Sequence, residues 1–332
     1  MDTINLVVKR ILSIPLLILA VFFGLKVKSQ QDPIYNQYMF NPLVINPAYA
    51  GSRDQMSIVI LHRSQWLGFG GGAPNTQTAS FHAPLLQGKV GLGAVVTRDV
   101  IGPVSRTGFS GAYAYRLRLR TGKLAIALRT GLYNYVFDWN KIEYKDSEPL
   151  VSESKTTGWV ANFDFGVRYS TKKLYAGLTL LNLNNPNLNF LKSDTSSFAS
   201  ALSRHVNLTT GYALEINRDW VLKPSTMIRY EKNPTRSSTV NGGAQTSGIL
   251  IADLNVSVLY KNMIWAGISV RSSKALIAVL EYNISKQLRL GYSYELTLSK
   301  LQTTNSGTHE IFIGVDFGSN RKPTLTSPRI YF

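Results

Sequence analysis

The chain has 332 residues, 44% hydrophobic and 17% charged, with 36 basic against 19 acidic residues and no cysteine. The missing cysteine excludes a disulfide framework, a thiolate metal site and cysteine nucleophilic chemistry, while His62, His82, His205 and His309 lie far apart without a metal-binding spacing. The net charge of +17 suits an anionic lipid surface or an acidic protein partner better than nucleic acid, because the basic residues are spread over many short segments rather than gathered on one helix.

The chain opens with Lys9 and Arg10, an apolar run over residues 11–24, and Val27 and Ser29 placed for cleavage before Gln30. Residues 1–29 therefore read as a secretory signal peptide. Residues 30–54 form a second unit. From 31 to 51 this unit does not alternate, and its Asn41-Pro42 and Asn46-Pro47 steps predict turns, since the residue before proline is held extended. Tyr35, Tyr38, Met39, Phe40, Leu43, Val44, Ile45 and Tyr49 make it too apolar for a flexible leader, so it is expected to be ordered and buried.

From 55 to 317 the sequence becomes a succession of short segments alternating apolar and polar residues. Residues 289–296 set Leu290, Tyr292, Tyr294 and Leu296 on one face against Arg289, Ser293 and Glu295; residues 109–120 set Phe109, Tyr113, Tyr115, Leu117 and Leu119 against Ser110, Arg116, Arg118 and Arg120. Side chains on a strand alternate with period 2, so each segment offers one face to lipid and one to water or charge. Beyond Gly24 no apolar run reaches the roughly 20 residues of a spanning helix, leaving a closed barrel as the only spanning structure. The expected fold is all-β, an outer-membrane antiparallel β-barrel of about 14 strands (12–16), with an N-terminal periplasmic or lumenal plug-like segment.

Strands are predicted to start near Met56, Asn75, Lys89, Thr107, Lys123, Gly158, Lys173, His205, Trp220, Leu250, Met263, Lys274, Leu288 and Thr308. Short connections at 86–89, 121–123, 171–173, 217–219, 261–262 and 285–287 alternate with longer ones at 67–75, 99–106, 138–157, 184–204, 231–248 and 302–307. Only 272–273 is short where a long loop is due. Such barrels have short periplasmic turns and long outer loops, so both chain termini are expected in the periplasm and the long loops outside. Trp66, Trp159 and Tyr230 are expected in an outer aromatic belt, and Tyr169, Trp220, Tyr260, Trp265 and Tyr282 in an inner one. Residues 318–332 follow the last strand as a C-terminal periplasmic tail ending in Tyr331 and Phe332.

The inward face carries Arg116, Arg118, Arg129, Arg168, Arg229, Arg289 and Glu295, with Asp164, Asp253, Glu281, Glu310 and Asp316. Arginine and carboxylate at close quarters favour ion pairs that brace the wall over an open aqueous path. Gly91, Gly93, Ala125, Ala127, Gly131, Gly166, Gly177, Gly211, Gly267, Gly291 and Gly314 share that face and leave room for water, a substrate or a plug.

Several motifs carry a family resemblance. Asp32-Pro33 is followed by Tyr35, Asn36, Gln37 and Tyr38, then Asn41-Pro42, then Asn46, Pro47, Ala48, Tyr49, Ala50 and Gly51. Arg63, Ser64, Gln65 and Trp66 follow the first strand, Pro74 with Thr76, Gln77 and Thr78 leads the second, and Ser327-Pro328-Arg329-Ile330-Tyr331-Phe332 closes the chain. In these the chain resembles the PorP/SprF family of the type IX secretion system, the outer-membrane export and gliding-motility machinery of Bacteroidetes. The resemblance implies localisation in the cell outer membrane and a non-enzymatic role in the export or surface anchoring of a cargo protein, such as an adhesin with a type IX C-terminal signal domain. It implies no cofactor and no catalysis. Partners would be that cargo, periplasmic or lipoprotein components of the machinery, and outer-membrane lipid.

Two other functions compete. Basic lumen residues and a plug-like segment also fit a plugged outer-membrane transport barrel for a hydrophobic or anionic solute. A hydrolase would need a nucleophile with a base, or paired carboxylates, at one rim; Asp99 and Glu143 or Asp146 lie near predicted outer loops, but acidic loop residues are usually just solvated, and the scarcity of histidine argues against it.

Overall fold

A computed structural model of the chain describes residues 33–53, 55–141, 155–186, 188, 202–232 and 248–318. The expected signal peptide (1–29), the tail beyond 318, Glu143 and Asp146 lie outside the described residues.

Strands β1 (Met56–Ser64), β2 (Asn75–Leu85), β3 (Val90–Ile101), β4 (Val104–Arg118) and β5 (Lys123–Asp138) form the first run of the sheet. It continues with β6 (Lys155–Ser170), β7 (Leu174–Leu181), β8 (His205–Tyr212), the two-residue β9 (Leu214–Glu215), β10 (Trp220–Glu231) and β11 (Ile249–Tyr260). Last come β12 (Ile264–Arg271), β13 (Ala275–Asn283), β14 (Leu288–Thr297) and β15 (Thr308–Phe317). Every pairing is antiparallel, and β15 returns to β1 in register from Met56 opposite Phe317 to Ser64 opposite His309. Since β8 and β9 pair with the same strand β10 and are parted only by Ala213, they are one barrel strand. The result is a closed 14-stranded antiparallel β-barrel. Closure satisfies the backbone donors and acceptors that lipid cannot.

The outer face follows the alternation. Phe109, Tyr113, Tyr115, Leu128, Trp159, Tyr292 and Ile311 are exposed, while the intervening residues are buried. No helix among the described residues is long and apolar enough to cross a membrane. Because the strand number is even, β1 begins and β15 finishes at one end, here the turn end. The opposite end carries the longer connections and is the loop end.

Three expectations are corrected. Residues 99–106 are not a long loop: Asp99 pairs with Arg106 in the β3–β4 ladder, and the chain reverses at Gly102 and Pro103, where Gly102 takes φ +56°. Glycine supplies the left-handed conformation and proline presets its own φ, so two residues suffice. Asp99 is thus an inward wall residue, accepting the Thr76 hydroxyl at 2.6 Å, and not a catalytic loop carboxylate. Trp265 is not in a lipid-facing belt. It shares its strand face with Ser269, is buried, and meets Phe40 at 6.5 Å between ring centroids. Arg118 shares the inward parity of Arg116 but is exposed where β4 passes beyond the lumen, and it donates to the Gln87 carbonyl at 3.1 Å.

Candidate functional site

Residues 33–53 lie inside the barrel and make its core. Ile34, Tyr35, Tyr38, Met39, Phe40 and Ile45 pack with Val59, Leu61, Met227, Trp265, Ile277, Val279 and Phe312 from the wall. Leu43, Ala48 and Ala50 pack with Val95, Ala112, Ala114, Ala125 and Ala127. Both Asn-Pro steps open 3-10 turns, Pro42–Val44 and Pro47–Tyr49, with proline at the start where its missing N–H costs nothing. Asn46 caps the second turn by accepting from the Ala48 amide at 2.9 Å. Its Nδ2 donates to the carbonyls of Val167 (3.2 Å) and Leu178 (3.4 Å) in the wall.

Glycine and alanine in the wall make space for the segment. A Cβ at Gly91 would stand 2.0 Å from the Ala50 carbonyl oxygen, and one at Gly166 would stand 2.3 Å from Asn46 Oδ1. Neither position could carry a side chain with the segment where it is. Gly93, Gly177 and Gly291 likewise face Leu43, Asn46 and Gln37.

Polar contacts also hold the segment. Glu310, fully buried, accepts the amide N–H of Asn36 at 3.1 Å and of Gln37 at 2.9 Å, while Gln37 Nε2 donates to the Glu310 carbonyl at 3.0 Å. Tyr35 hydrogen-bonds Thr78 at 2.8 Å, and Ser80 donates to Asn41 Oδ1 at 3.0 Å. Arg129 donates to the carbonyls of Leu43 (3.3 Å) and Val44 (3.1 Å), Arg116 donates to that of Gly51, and Arg168 lies over the Tyr49 ring at 4.4 Å. Gly51 takes φ +66°, and Arg53 reaches Asp316 at 3.0 Å.

The remaining charges form buried pairs. Arg63 bridges Glu295 (3.1 Å) and Glu310 (3.3 Å), and Arg271 bridges Glu295 (3.2 Å) and Asp253 (2.8 Å). Arg289 contacts Glu281 (3.3 Å) and Asp316 (3.6 Å), and Arg129 contacts Asp164 (2.7 Å). Pairing of this kind lets ions sit inside the barrel without the full desolvation cost.

Of the motif residues, Tyr35, Asn36, Gln37, Tyr38, Asn41, Pro42, Asn46, Pro47, Tyr49 and Gly51 all sit in the lumen, as does Arg63. Gln65 and Trp66 do not. They lie past β1 at the loop end, where the Gln65 amide donates to the Pro74 carbonyl and Trp66 meets Phe69 at 5.9 Å. Sequence reasoning missed Arg271 and Lys223 as lumen residues. Lys223 lies 5.5 Å from the Tyr175 ring and 5.4 Å from that of Trp265. Period 2 could have found both, since Arg271 shares parity with Trp265 and Ser269, and Lys223 with Met227 and Arg229.

No cluster of metal-ligating side chains occurs among the described residues. Comparison with solved structures gives distant barrels. A Pseudomonas aeruginosa FadL homologue is 10% identical over 86% of this chain and 95% of its own, with a TM-score of 0.44. Acinetobacter baumannii Omp33 is 8% identical over 79% and 99%, at 0.44, and the KdgM porin 10% over 79% and 99%, at 0.39. No curated protein matches the chain. The family comparison is decisive: the model described as "Type IX secretion system membrane protein PorP/SprF" matches residues 27–315, covering the N-terminal segment and nearly all the barrel. This outer-membrane β-barrel, a secretion-system component, belongs to the PorP/SprF family of type IX secretion system membrane proteins.

Proposed function

We propose that the protein is a plugged, non-enzymatic barrel of the secretion and gliding machinery, required for the export or surface anchoring of a cargo protein such as an adhesin with a type IX C-terminal signal domain. Residues 1–29 serve as its export signal, 33–53 as the plug, and 318–332 as a periplasmic tail. The turn end faces the periplasm and meets periplasmic or lipoprotein components of the machinery. The loop end faces outward and meets the cargo.

The observation that carries this reading is the filling of the lumen by the chain's own N-terminal segment. A barrel whose interior glycines are fitted to its own N-terminal segment is poorly suited to pass solute. Its loops, held on a rigid wall, are the surfaces left for recognition. Deleting the gene should leave the cargo unexported or shed into the medium, measured by surface labelling and by immunoblot of the culture fluid. Unchanged surface display sinks the reading. Solute-dependent flux through the purified barrel in vesicles would favour the transport alternative instead.

A further inference from the structure

The turn end of the barrel carries its charge unevenly. Three successive turns there, β2–β3, β4–β5 and β6–β7, present Lys89, Arg118, Arg120, Lys172 and Lys173, all exposed, with the half-buried Lys123 among them. Residues 86–89, 118–123 and 171–173 hold no acidic side chain. Farther round the same end Arg218 lies beside Glu215 and Asp219, and the β11–β12 and β13–β14 turns carry one lysine each, Lys261 and Lys286. Among the described residues none of the five exposed cations meets a carboxylate, and the one hydrogen bond from their charged groups runs from Arg118 to the Gln87 carbonyl at 3.1 Å.

Parity decides where these charges stand. Arg118 continues the inward row of Ser110, Ala112, Ala114 and Arg116, and Arg116 already donates to the Gly51 carbonyl inside the barrel. Lys89 continues the row of Gly91 and Gly93, which face Ala50 and Leu43, and Lys173 that of Tyr175 and Gly177. Arg120 and Lys172 lie in the turns themselves, which are closed by the Leu119 amide on the Gly122 carbonyl and the Thr171 amide on the Leu174 carbonyl, each at 2.8 Å. The lipid-facing row at the same height is apolar, with Leu117, Leu119 and Leu174 exposed. The cations therefore stand over the barrel mouth, on the opposite parity from the lipid face, and are open to a partner approaching end-on.

Charge and spacing narrow that partner. A second copy of this chain, at a net +17, is repelled. Turns two strands apart lie about 10 Å from one another, a distance that an extended polypeptide covers in about three residues. At physiological salt the Debye length is about 8 Å, so neighbouring turns act partly in concert on a run of carboxylates and weakly on a single one.

We propose that the rim formed by the β2–β3, β4–β5 and β6–β7 turns binds an acidic stretch of a polypeptide that meets the barrel end-on, with carboxylates about three residues apart over successive turns. That this polypeptide is a periplasmic or lipoprotein component of the machinery rests on the function proposed above; the rim's preference for carboxylates does not.

The test uses the full-length barrel purified in mild detergent. A rhodamine-labelled decapeptide with glutamate at every third position should bind, and its glutamine counterpart should bind about tenfold or more weakly, since modest exposed contacts add over three turns. Raising the salt should weaken the glutamate peptide, as screening of exposed charge requires. Lys89→Gln, Arg120→Gln, Lys172→Gln and Lys173→Gln together should lower its affinity about tenfold or more, while Lys172→Arg with Lys173→Arg should keep it within about twofold, because charge carries the contact. Lys286→Gln, on the opposite side of the rim, should also leave it within about twofold. Heat-modifiable gel mobility checks that the fourfold variant is folded; Lys172→Gln with Lys173→Gln, expected to weaken binding about threefold, keeps the test open if it is not. Equal binding of the two peptides, no binding to the unaltered barrel, or a loss from Lys286→Gln as large as that from the fourfold variant overturns the proposal. Fluorescent phosphatidylglycerol is the lipid probe: a fourfold variant that loses this lipid but keeps the peptide assigns the rim to headgroups and overturns the proposal as well. If the fourfold variant loses the peptide while surface display of cargo persists, the rim's chemistry stands and its assignment to the secretion machinery fails.

Discussion

The two sides of the lumen hold the same segment by different physics. From β3 to β7 the wall is chiefly shaped to it: Gly91, Gly93, Ala112, Ala114, Ala125, Ala127, Gly166 and Gly177 form a hollow that receives the two 3-10 turns, with Arg116, Arg129 and Arg168 between them reaching the segment's carbonyls and the Tyr49 ring. From β11 through β15 to β1 the wall grips by charge, with Arg63, Arg271, Glu295, Glu310, Arg289 and Asp316 linked in pairs and the segment's own amides and Arg53 drawn into them. The steric side acts only at contact and tolerates no added atoms. The ionic side tolerates some change of shape but not the loss of a partner. A short segment whose own backbone bonds close only local turns is thereby fixed from both directions.

Breaking the ionic side should cost most. Glu310→Ala leaves the buried Arg63 with one carboxylate in place of two and strips the Asn36 and Gln37 amides of their acceptor, at a cost of about 3–5 kcal/mol. Urea unfolding in vesicles, or the temperature at which heat-modifiable mobility is lost, measures it. A loss below about 1 kcal/mol would show that the segment contributes little to the barrel.

On the steric side, Gly91→Ala forces the wall or the Ala50 backbone to move, and overpacking of this kind costs about 1–3 kcal/mol by the same assay. Combining it with Glu310→Ala sharpens the comparison. Costs that add to within about 0.5 kcal/mol mean two independent grips, whereas a larger departure means that the segment transmits strain between them.

Asn46→Ala removes both the turn cap and the wall contacts of Nδ2. It should cost about 1–2 kcal/mol, and addition of Gly166→Ala should not restore it, because a Cβ there still stands 2.9 Å from the Pro47 ring. Arg53→Ala should have the smallest effect, about 0.5–1 kcal/mol, because Arg53 is partly exposed and Asp316 keeps Arg289 as a partner. That small effect should shrink in high salt, while the cost of Glu310→Ala should not, since buried pairs are screened less.

Much of this architecture is legible in the sequence. The strand starts expected at Met56, Asn75, Lys123, His205, Trp220, Leu288 and Thr308 coincide with those observed, because period-2 alternation against lipid leaves little freedom in register. Where strand and loop share composition the reading failed: Asp99, Arg106 and their neighbours look like a polar loop, yet opposite charges facing each other on an inward wall suit a strand equally well. Trp265 misled because tryptophan is at home in an aromatic belt, although its own parity with Ser269 pointed inward. Arg118 has the parity of a lumen residue, and parity cannot tell where along the strand the lumen stops.

By itself, then, the sequence determined that the chain is a barrel of about fourteen strands, most of the residues that face inward, and that residues 31–51 are apolar and do not alternate. These follow from local chemistry: alternation, turn residues and the missing apolar run. The tertiary structure alone decided what the inward charges and glycines are for. Which arginine meets which carboxylate, and that Gly91 is cut to the backbone of Ala50 and Gly166 to the side chains of Asn46 and Pro47, depend on how the closed barrel surrounds the segment. Closure brings together residues more than 200 positions apart, such as Asn36 and Glu310, and no local pattern encodes that pairing.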